Sequence, residues 1–177
     1  MSTPSYTRTA IALHWLLAFG LIGTFMVGVY MHELPLSPDK LKIYSWHKWA
    51  GVTIFMLAVL RLLWRFSHRP PAAPDHMPRW QQLVAEGVHY LLYLLMLAIP
   101  LSGWVYSSST GVSVVYLGLV PLPDLVPKDR ETAKMLLLLH QVLNSLLAVV
   151  VTLHIAAALK HHFVDHDDIL ARMLPGR

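Results

Sequence analysis

Two histidines stand fourteen residues apart in an otherwise apolar stretch of the sequence. The stretch runs from Met135 to Phe163, and its first charged residue is Lys160. On an α-helix, this spacing separates His140 and His154 by about 21 Å along the axis and about 40° around it. Both imidazoles therefore lie on one helix face, near opposite ends. A stretch of this length is predicted to cross a membrane, where ionisable side chains usually have partners.

The composition predicts one integral membrane domain over residues 1–177. Hydrophobic residues make up 55% of the chain, against about 45–50% in ordinary soluble domains. The absence of cysteine excludes disulfides, thiolate zinc sites, cysteine-ligated iron–sulfur clusters and c-type haem attachment. Eleven histidines remain as the abundant strong ligand. The net charge of +4 fits contact with anionic lipid, and no nucleic-acid partner is expected, because the basic residues form no continuous patch.

The hydrophobic pattern predicts an all-α membrane protein, a bundle of four transmembrane helices. The spans are residues 10–31, 46–66, 83–106 and 135–163. Residues 33–45, with two prolines, are predicted to form a turn outside the membrane. The longest link, residues 107–134, is predicted to lie along the surface as an interfacial turn or short helix.

Four spans place both termini on the same side of the membrane, which we call the inner side. Eight lysines and arginines then lie on the inner side and six on the outer side. This bias predicts cytoplasmic termini and a location in the bacterial inner membrane. The inner residues are Arg8, Arg61, Arg65, Arg69, Arg79, Lys160, Arg172 and Arg177.

Topology pairs four histidines by their depth in the membrane. His14, near the inner end of span one, lies at the level of His154, and His47, at the outer start of span two, lies at the level of His140. Two imidazoles from facing helices, with a flat group between them, are what a six-coordinate b-type haem requires. The pattern therefore predicts two haems b. A buried histidine that only hydrogen-bonds a neighbouring helix is the alternative at each single position.

Three other residues lie on the same helix faces. Gly28 follows His14 by fourteen residues, Arg61 follows His47 by fourteen, and Gly51 follows His47 by four. The glycines would let a macrocycle approach the backbone, and Arg61 suits a propionate carboxylate. Helix packing by the glycines and snorkelling by the arginine are the alternatives.

A second group of residues lies toward the inner surface. His89 of span three and His161 of span four, with Arg8 and Lys160, are predicted to line a quinone pocket, because quinone carbonyls need hydrogen-bond donors. A histidine cluster without a ligand is the alternative.

The end of span four also permits a divalent-metal site. A plain helix end without a metal is the competing interpretation. The residues of this possible site are His162, Asp165, His166, Asp167 and Asp168.

At these positions the chain resembles the bacterial cytochrome b561 family of four-helix dihaem membrane proteins. The matching residues extend over nearly the whole chain: Arg8, His14–Trp15, His47, Arg61, Trp64–Arg65, His89–Tyr90, Pro100, Gly103–Trp104, His140, His154, His161 and Met173–Leu174–Pro175. The resemblance implies that His14, His47, His140 and His154 are the axial haem ligands. It also implies superoxide oxidase activity, with electrons passing from superoxide at the outer, periplasmic face to ubiquinone in the membrane.

Two other classes of function stay open at this point. Related four-helix cytochromes are membrane subunits that take electrons from a partner dehydrogenase or hydrogenase, and a transporter or metal permease would lack haem. The superoxide interpretation predicts that outer lysines steer an anion toward the outer haem, whereas snorkelling to lipid is the alternative. These lysines are Lys40, Lys42, Lys48 and Lys134.

Overall fold

Four long helices form the protein in the computed structural model, which describes residues 5–74 and 77–175. They are α1 (Arg8–Glu33), α2 (Pro38–Ser67), α3 (Arg79–Thr110) and α4 (Arg130–Phe163). Each is long and apolar enough to cross a membrane. The predicted four-helix membrane bundle is therefore confirmed, whereas Arg177 of the charge count lies outside the described residues.

The helices begin earlier or end later than the predicted spans because capping residues lie beyond the apolar stretches. The side chain of Ser37 accepts a hydrogen bond from the Lys40 backbone, and Pro38 occupies the first turn of α2. The prediction of a turn over residues 33–45 is therefore wrong for its second half, which is helical. Asp129 caps α4 in the same way, by accepting from Thr132.

The long outer link contains a β-hairpin rather than a helix. Strands β1 (Val115–Tyr116) and β2 (Val120–Pro121) are antiparallel. The turn between them uses positive φ angles at Leu117 and Gly118, 53° and 73°. Of the two predicted alternatives, the short helix is wrong: the segment forms a turn between two short strands, stabilised by strand pairing and by contacts with α2.

Neighbouring helices in the sequence pack against each other, so that α1 contacts α2, α2 contacts α3 and α3 contacts α4. Helix α4 makes few close backbone approaches to α1 or α2. Two buried clusters hold the bundle together at mid-depth, Leu17, Ile54, Ala58, Tyr93 and Met96 in one, and Leu95, Ile99, Leu147 and Val150 in the other. The core therefore lies between the two histidine levels.

The C-terminal segment folds back across the inner end of the bundle. It includes a short 3₁₀ helix, Ala171–Met173. The indole nitrogen of Trp15 on α1 donates to the Met173 carbonyl at 2.7 Å. Arg172 donates to the Ala72 carbonyl in the α2–α3 link, also at 2.7 Å. The segment thereby joins α1, α4 and this link at one end.

Candidate functional site

The four predicted histidines meet in two pairs at two depths of the bundle. The ring centroids of His14 and His154 are 6.3 Å apart, and those of His47 and His140 are 6.4 Å apart. All four residues are half-buried. Each pair therefore joins α4 to a helix with which α4 makes few close backbone contacts.

These separations are close to the distance expected between two imidazole rings that bind the same metal ion. A metal–nitrogen bond of about 2.0 Å on each side, plus about 1.1 Å from each nitrogen to its ring centre, gives about 6.2 Å between the two ring centres. Both observed distances are close to this value. Neutral imidazoles on opposite sides of one iron atom are the donors of bis-histidine haem. The separation of the rings fits such a group at both levels.

A cavity of about 580 Å³ surrounds the outer pair. Gly28 and Gly103 lie against the two rings: a Cβ atom at either position would lie 3.1 Å from the nearest ring carbon, of His47 or His140 respectively. A Cβ atom on Gly51, which also lines the cavity, would meet nothing within 4 Å. Gly28 thus makes room for an imidazole, whereas Gly51 leaves open space. Gly103 was not predicted as a site residue from the sequence.

The structure supplies the hydrogen-bond partner of His140. Its Nδ1 atom lies 3.1 Å from the Ile99 carbonyl oxygen and 2.9 Å from Ser102 Oγ. Donation from Nδ1–H to the carbonyl fixes the tautomer whose Nε2 atom is free to bind a metal. Both partners lie within two residues of Pro100 on α3. They could not be predicted from the sequence, because no local pattern relates residue 99 or 102 to residue 140.

The partner of His47 is less well defined. Its Nδ1 atom is buried and makes no hydrogen bond of normal geometry with the described residues, although the backbone of Thr24 lies close to the ring. The outer pair therefore combines one firmly oriented imidazole with one that is held mainly by packing against Gly28.

A third histidine joins the inner pair. The ring of His89 on α3 lies edge-to-face with that of His154, with centroids 5.4 Å apart. On the other side, Arg61 Nη1 lies 2.9 Å from Nδ1 of His14, and Arg61 Nε donates to the Tyr93 hydroxyl at 3.2 Å. Arginine only donates, so Nδ1 of His14 is the acceptor in this contact. Metal binding through Nε2 would require a proton on Nδ1, so that binding and this contact exclude each other.

A small cavity of about 70 Å³ opens beside the inner pair. Its lining includes Arg61, Arg65, His89, Tyr93 and Tyr6. Burial raises the pKa of the Tyr6 phenol above its usual value, so that this residue stays protonated and can donate a hydrogen bond. The cavity is therefore rich in hydrogen-bond donors.

The four residues predicted for a quinone pocket are not brought together in this cavity. All four lie in the described part of the chain, but among them only His89 lines it. Lys160 pairs with Asp165 at 2.6 Å, and His161 Nδ1 lies 2.7 Å from Asp167 Oδ2. Arg8 is exposed. The two C-terminal members take carboxylate partners that follow them closely in the chain.

The predicted metal set at the end of α4 is also rearranged. Ligand atoms of His161, Asp165 and Asp167 lie within 4.8 Å of one another. His162 instead contacts the ring of Phe163. The histidine that approaches the carboxylates is therefore the one predicted for the quinone pocket.

The four predicted steering lysines fall into two groups. Lys40 and Lys48 line the outer cavity, where Lys40 donates to the Leu34 carbonyl and Lys48 donates to the Val112 carbonyl at 3.1 Å. The other two are engaged elsewhere, Lys42 over the ring of Trp46 at 5.3 Å and Lys134 with Glu131 at 2.8 Å.

A bundle of four membrane-spanning helices with histidine pairs at two depths has the architecture of a membrane cytochrome b. Comparison with known sequences agrees: the family described as prokaryotic cytochrome b561 matches residues 5–176. The chain belongs to this family, whose members are membrane redox proteins that bind b-type haem. It is thus a multi-pass membrane protein of electron transfer, and the family indicates the inner membrane.

Three relatives illustrate the similarity. "Cytochrome b561 homolog 2" of Escherichia coli (strain K12) is 35% identical over 98% of this chain and 93% of its own length. "Cytochrome b561 homolog 1" of the same organism is 28% identical over 97% and 98%. A "Probable superoxide oxidase CybB" of Yersinia pestis is 29% identical over 96% of both chains.

Proposed function

We propose that the protein carries electrons across the membrane by means of two haems b. His14 and His154 would hold the inner haem, and His47 and His140 the outer one. The proposal rests on the separation of the paired ring centroids, 6.3 and 6.4 Å. The pairs join α1 to α4 and α2 to α4, and these helices make few close backbone contacts with each other. When bound, the two haems supply one-electron oxidation and reduction at two depths of the bilayer.

The protein's own residues orient and enclose these groups. The Ile99 carbonyl and Ser102 keep the proton of His140 on Nδ1. Gly28 and Gly103 leave space for the outer imidazoles, and Gly51 leaves space in the cavity beside them. Arg61, which contacts His14 in this structure, would pair with a propionate carboxylate, which is a stronger acceptor than a neutral imidazole.

We further propose superoxide as the electron donor and ubiquinone as the acceptor. Two superoxide ions, one ubiquinone and two protons give two dioxygen molecules and one ubiquinol, so that charge and atoms balance. Lys40 and Lys48 at the outer cavity favour an anionic donor. Tyr6 at the inner cavity offers a hydrogen-bond donor to a quinone carbonyl, and His89 belongs to the same lining. The Yersinia pestis relative, a probable superoxide oxidase, supports this choice.

This assignment places the outer cavity on the periplasmic side and both termini in the cytoplasm. The excess of basic residues at the inner end supports it. The alternative donor is a partner dehydrogenase or hydrogenase. That alternative predicts reduction of the protein only in the presence of the partner.

The first experiment counts haem. The purified protein is expected to contain two haems b per chain, and His14→Ala, His47→Ala, His140→Ala and His154→Ala are each expected to lower the ratio toward one. His162→Ala, which removes a histidine from neither pair, is the matched control. A colourless folded protein, or equal losses in the control, would contradict the haem assignment.

The second experiment identifies the substrates. Superoxide generated enzymatically is expected to reduce the haems, and a soluble ubiquinone added afterwards is expected to reoxidise them. A protein that keeps two haems but stays oxidised with superoxide would retain the electron-transfer assignment and lose the superoxide one. Reduction by a co-purified dehydrogenase would then favour the alternative.

A further inference from the structure

The outer hairpin, residues 111–123, is an apolar segment that the proposed function does not explain. It contains no charged residue and no histidine. Several of its apolar side chains are exposed on the protein surface, with Leu119 81% exposed, and Leu117 and Val120 each 53% exposed. Apolar side chains concentrated in this way on a short loop indicate contact with something other than water.

The hairpin lies alongside α2 instead of projecting beyond its end. The indole nitrogen of Trp49 donates to the Val115 carbonyl at 2.7 Å, and Thr53 Oγ1 lies 3.0 Å from the Tyr116 hydroxyl. Thr53 is six residues beyond His47, about 9 Å further toward the inner side along the helix. Trp49 is only two residues beyond His47, so the hairpin contacts α2 from about the level of the outer histidine pair inward, within the apolar part of the helix.

The backbone of the hairpin satisfies much of its own hydrogen-bonding requirement. Besides the strand pairing, the Leu119 amide donates to the Tyr116 carbonyl at 3.0 Å, and the Leu122 amide donates to the Val114 carbonyl at 2.8 Å. Internal bonds of this kind lower the cost of taking backbone out of water. The segment is therefore suited to a lipid environment by its backbone as well as by its side chains.

We infer that the exposed face of the outer hairpin is seated in the lipid of the outer leaflet. The lipid-facing surface of α2, where Met56 and Leu60 are 47% and 49% exposed, belongs to the same helix that carries the hairpin. The first charged residue after the segment is Asp124, which accepts a hydrogen bond from Ser113. This hydrogen bond joins the two ends of the hairpin segment, and the polar part of the link begins there.

The other face of the hairpin contributes to the outer cavity. Val114 lines that cavity and is only 3% exposed. The hairpin therefore separates the outer histidine pair from lipid on one side of the bundle. This inference does not depend on the identity of the electron donor or acceptor.

The natural absence of cysteine allows a direct test. Leu119→Cys carries a nitroxide label in the full-length protein, reconstituted into phosphatidylcholine–phosphatidylglycerol vesicles. Leu60→Cys on the lipid-facing surface of α2 is the lipid reference, and Asp39→Cys in the first turn of α2 is the water reference. Collisions of the label with dissolved oxygen and with a water-soluble nickel chelate are measured by electron paramagnetic resonance.

At residues 119 and 60, the label is expected to collide more with oxygen than with the nickel chelate. At residue 39, the label is expected to collide more with the nickel chelate. Nickel collisions equal to those at residue 39 would overturn the inference and place the hairpin in water. Protection from both reagents would also overturn it, since a second copy or another protein would then cover the hairpin. Val120→Cys provides a second position if Leu119→Cys does not fold.

Discussion

Gly103 of α3 lies directly against the imidazole of His140 on α4. A Cβ atom on this glycine would lie 3.1 Å from Cε1 and 3.4 Å from Nδ1 of the histidine. Gly28 of α1 has the same relationship to His47, with a Cβ distance of 3.1 Å to Cε1. Each histidine of the outer pair is thus located by a glycine on a helix other than its own.

Gly103→Ala is expected to displace His140 and weaken the outer site. Overpacking of this kind typically costs about 1–3 kcal/mol. The expected result is a lower haem-to-protein ratio or an altered spectrum of one haem, together with a lower melting temperature. Gly23→Ala is the matched control, because a Cβ atom there meets nothing within 4 Å. Equal behaviour of the two variants would show that the close contact is tolerated.

Ser102→Ala is expected to loosen the orientation of His140. The hydroxyl lies 2.9 Å from Nδ1 and also donates to the Ile99 carbonyl at 2.8 Å. Loss of the group that hydrogen-bonds the second nitrogen of a metal-binding histidine typically lowers the affinity for the metal by roughly 10- to 100-fold. Titration of the haem-free protein with haem measures this change. Ser102→Thr keeps the hydroxyl and is expected to restore affinity, so failure of both variants would indicate a packing effect instead.

Arg61→Gln is expected to lower the midpoint potential of the inner haem. A positive charge near the iron stabilises the reduced form, and its removal is expected to shift the potential by roughly tens of millivolts. A redox titration followed by absorption measures the shift. Arg79→Gln, at the exposed start of α3, is the control for loss of one positive charge at the inner end. Equal shifts in both variants would argue against a specific role for Arg61.

Lys48→Gln is expected to slow the reaction with superoxide severalfold and to weaken its dependence on salt. The side chain lies at the outer cavity, where its charge acts on an approaching anion. Lys134→Gln is expected to change the rate less, because Lys134 is outside the cavity lining and already paired with Glu131. The measurement is the rate constant of haem reduction at several ionic strengths. The steering role would be contradicted by identical rates and salt dependences in both variants and the unmodified protein.

The sequence by itself determined the four helices and the depths of the four histidines. Both follow from local quantities, the length of an apolar stretch and the fixed rise per residue of a helix. For this reason His14 could be matched to His154, and His47 to His140, before any contact between helices was known. Helix α2 begins before the predicted span, at the Ser37–Pro38 cap, because the span was drawn from hydrophobicity and the cap lies outside the apolar stretch.

Only the tertiary structure decided what surrounds each histidine. The approach of Gly103, Ser102 and the Ile99 carbonyl to His140, and that of His89 to His154, depend on how α3 is rotated against α4. That rotation is set by packing between side chains far apart in the chain, which no local pattern specifies. The outer hairpin was missed for a related reason: its short strands are stabilised by contacts with α2, and only the folded bundle brings them together.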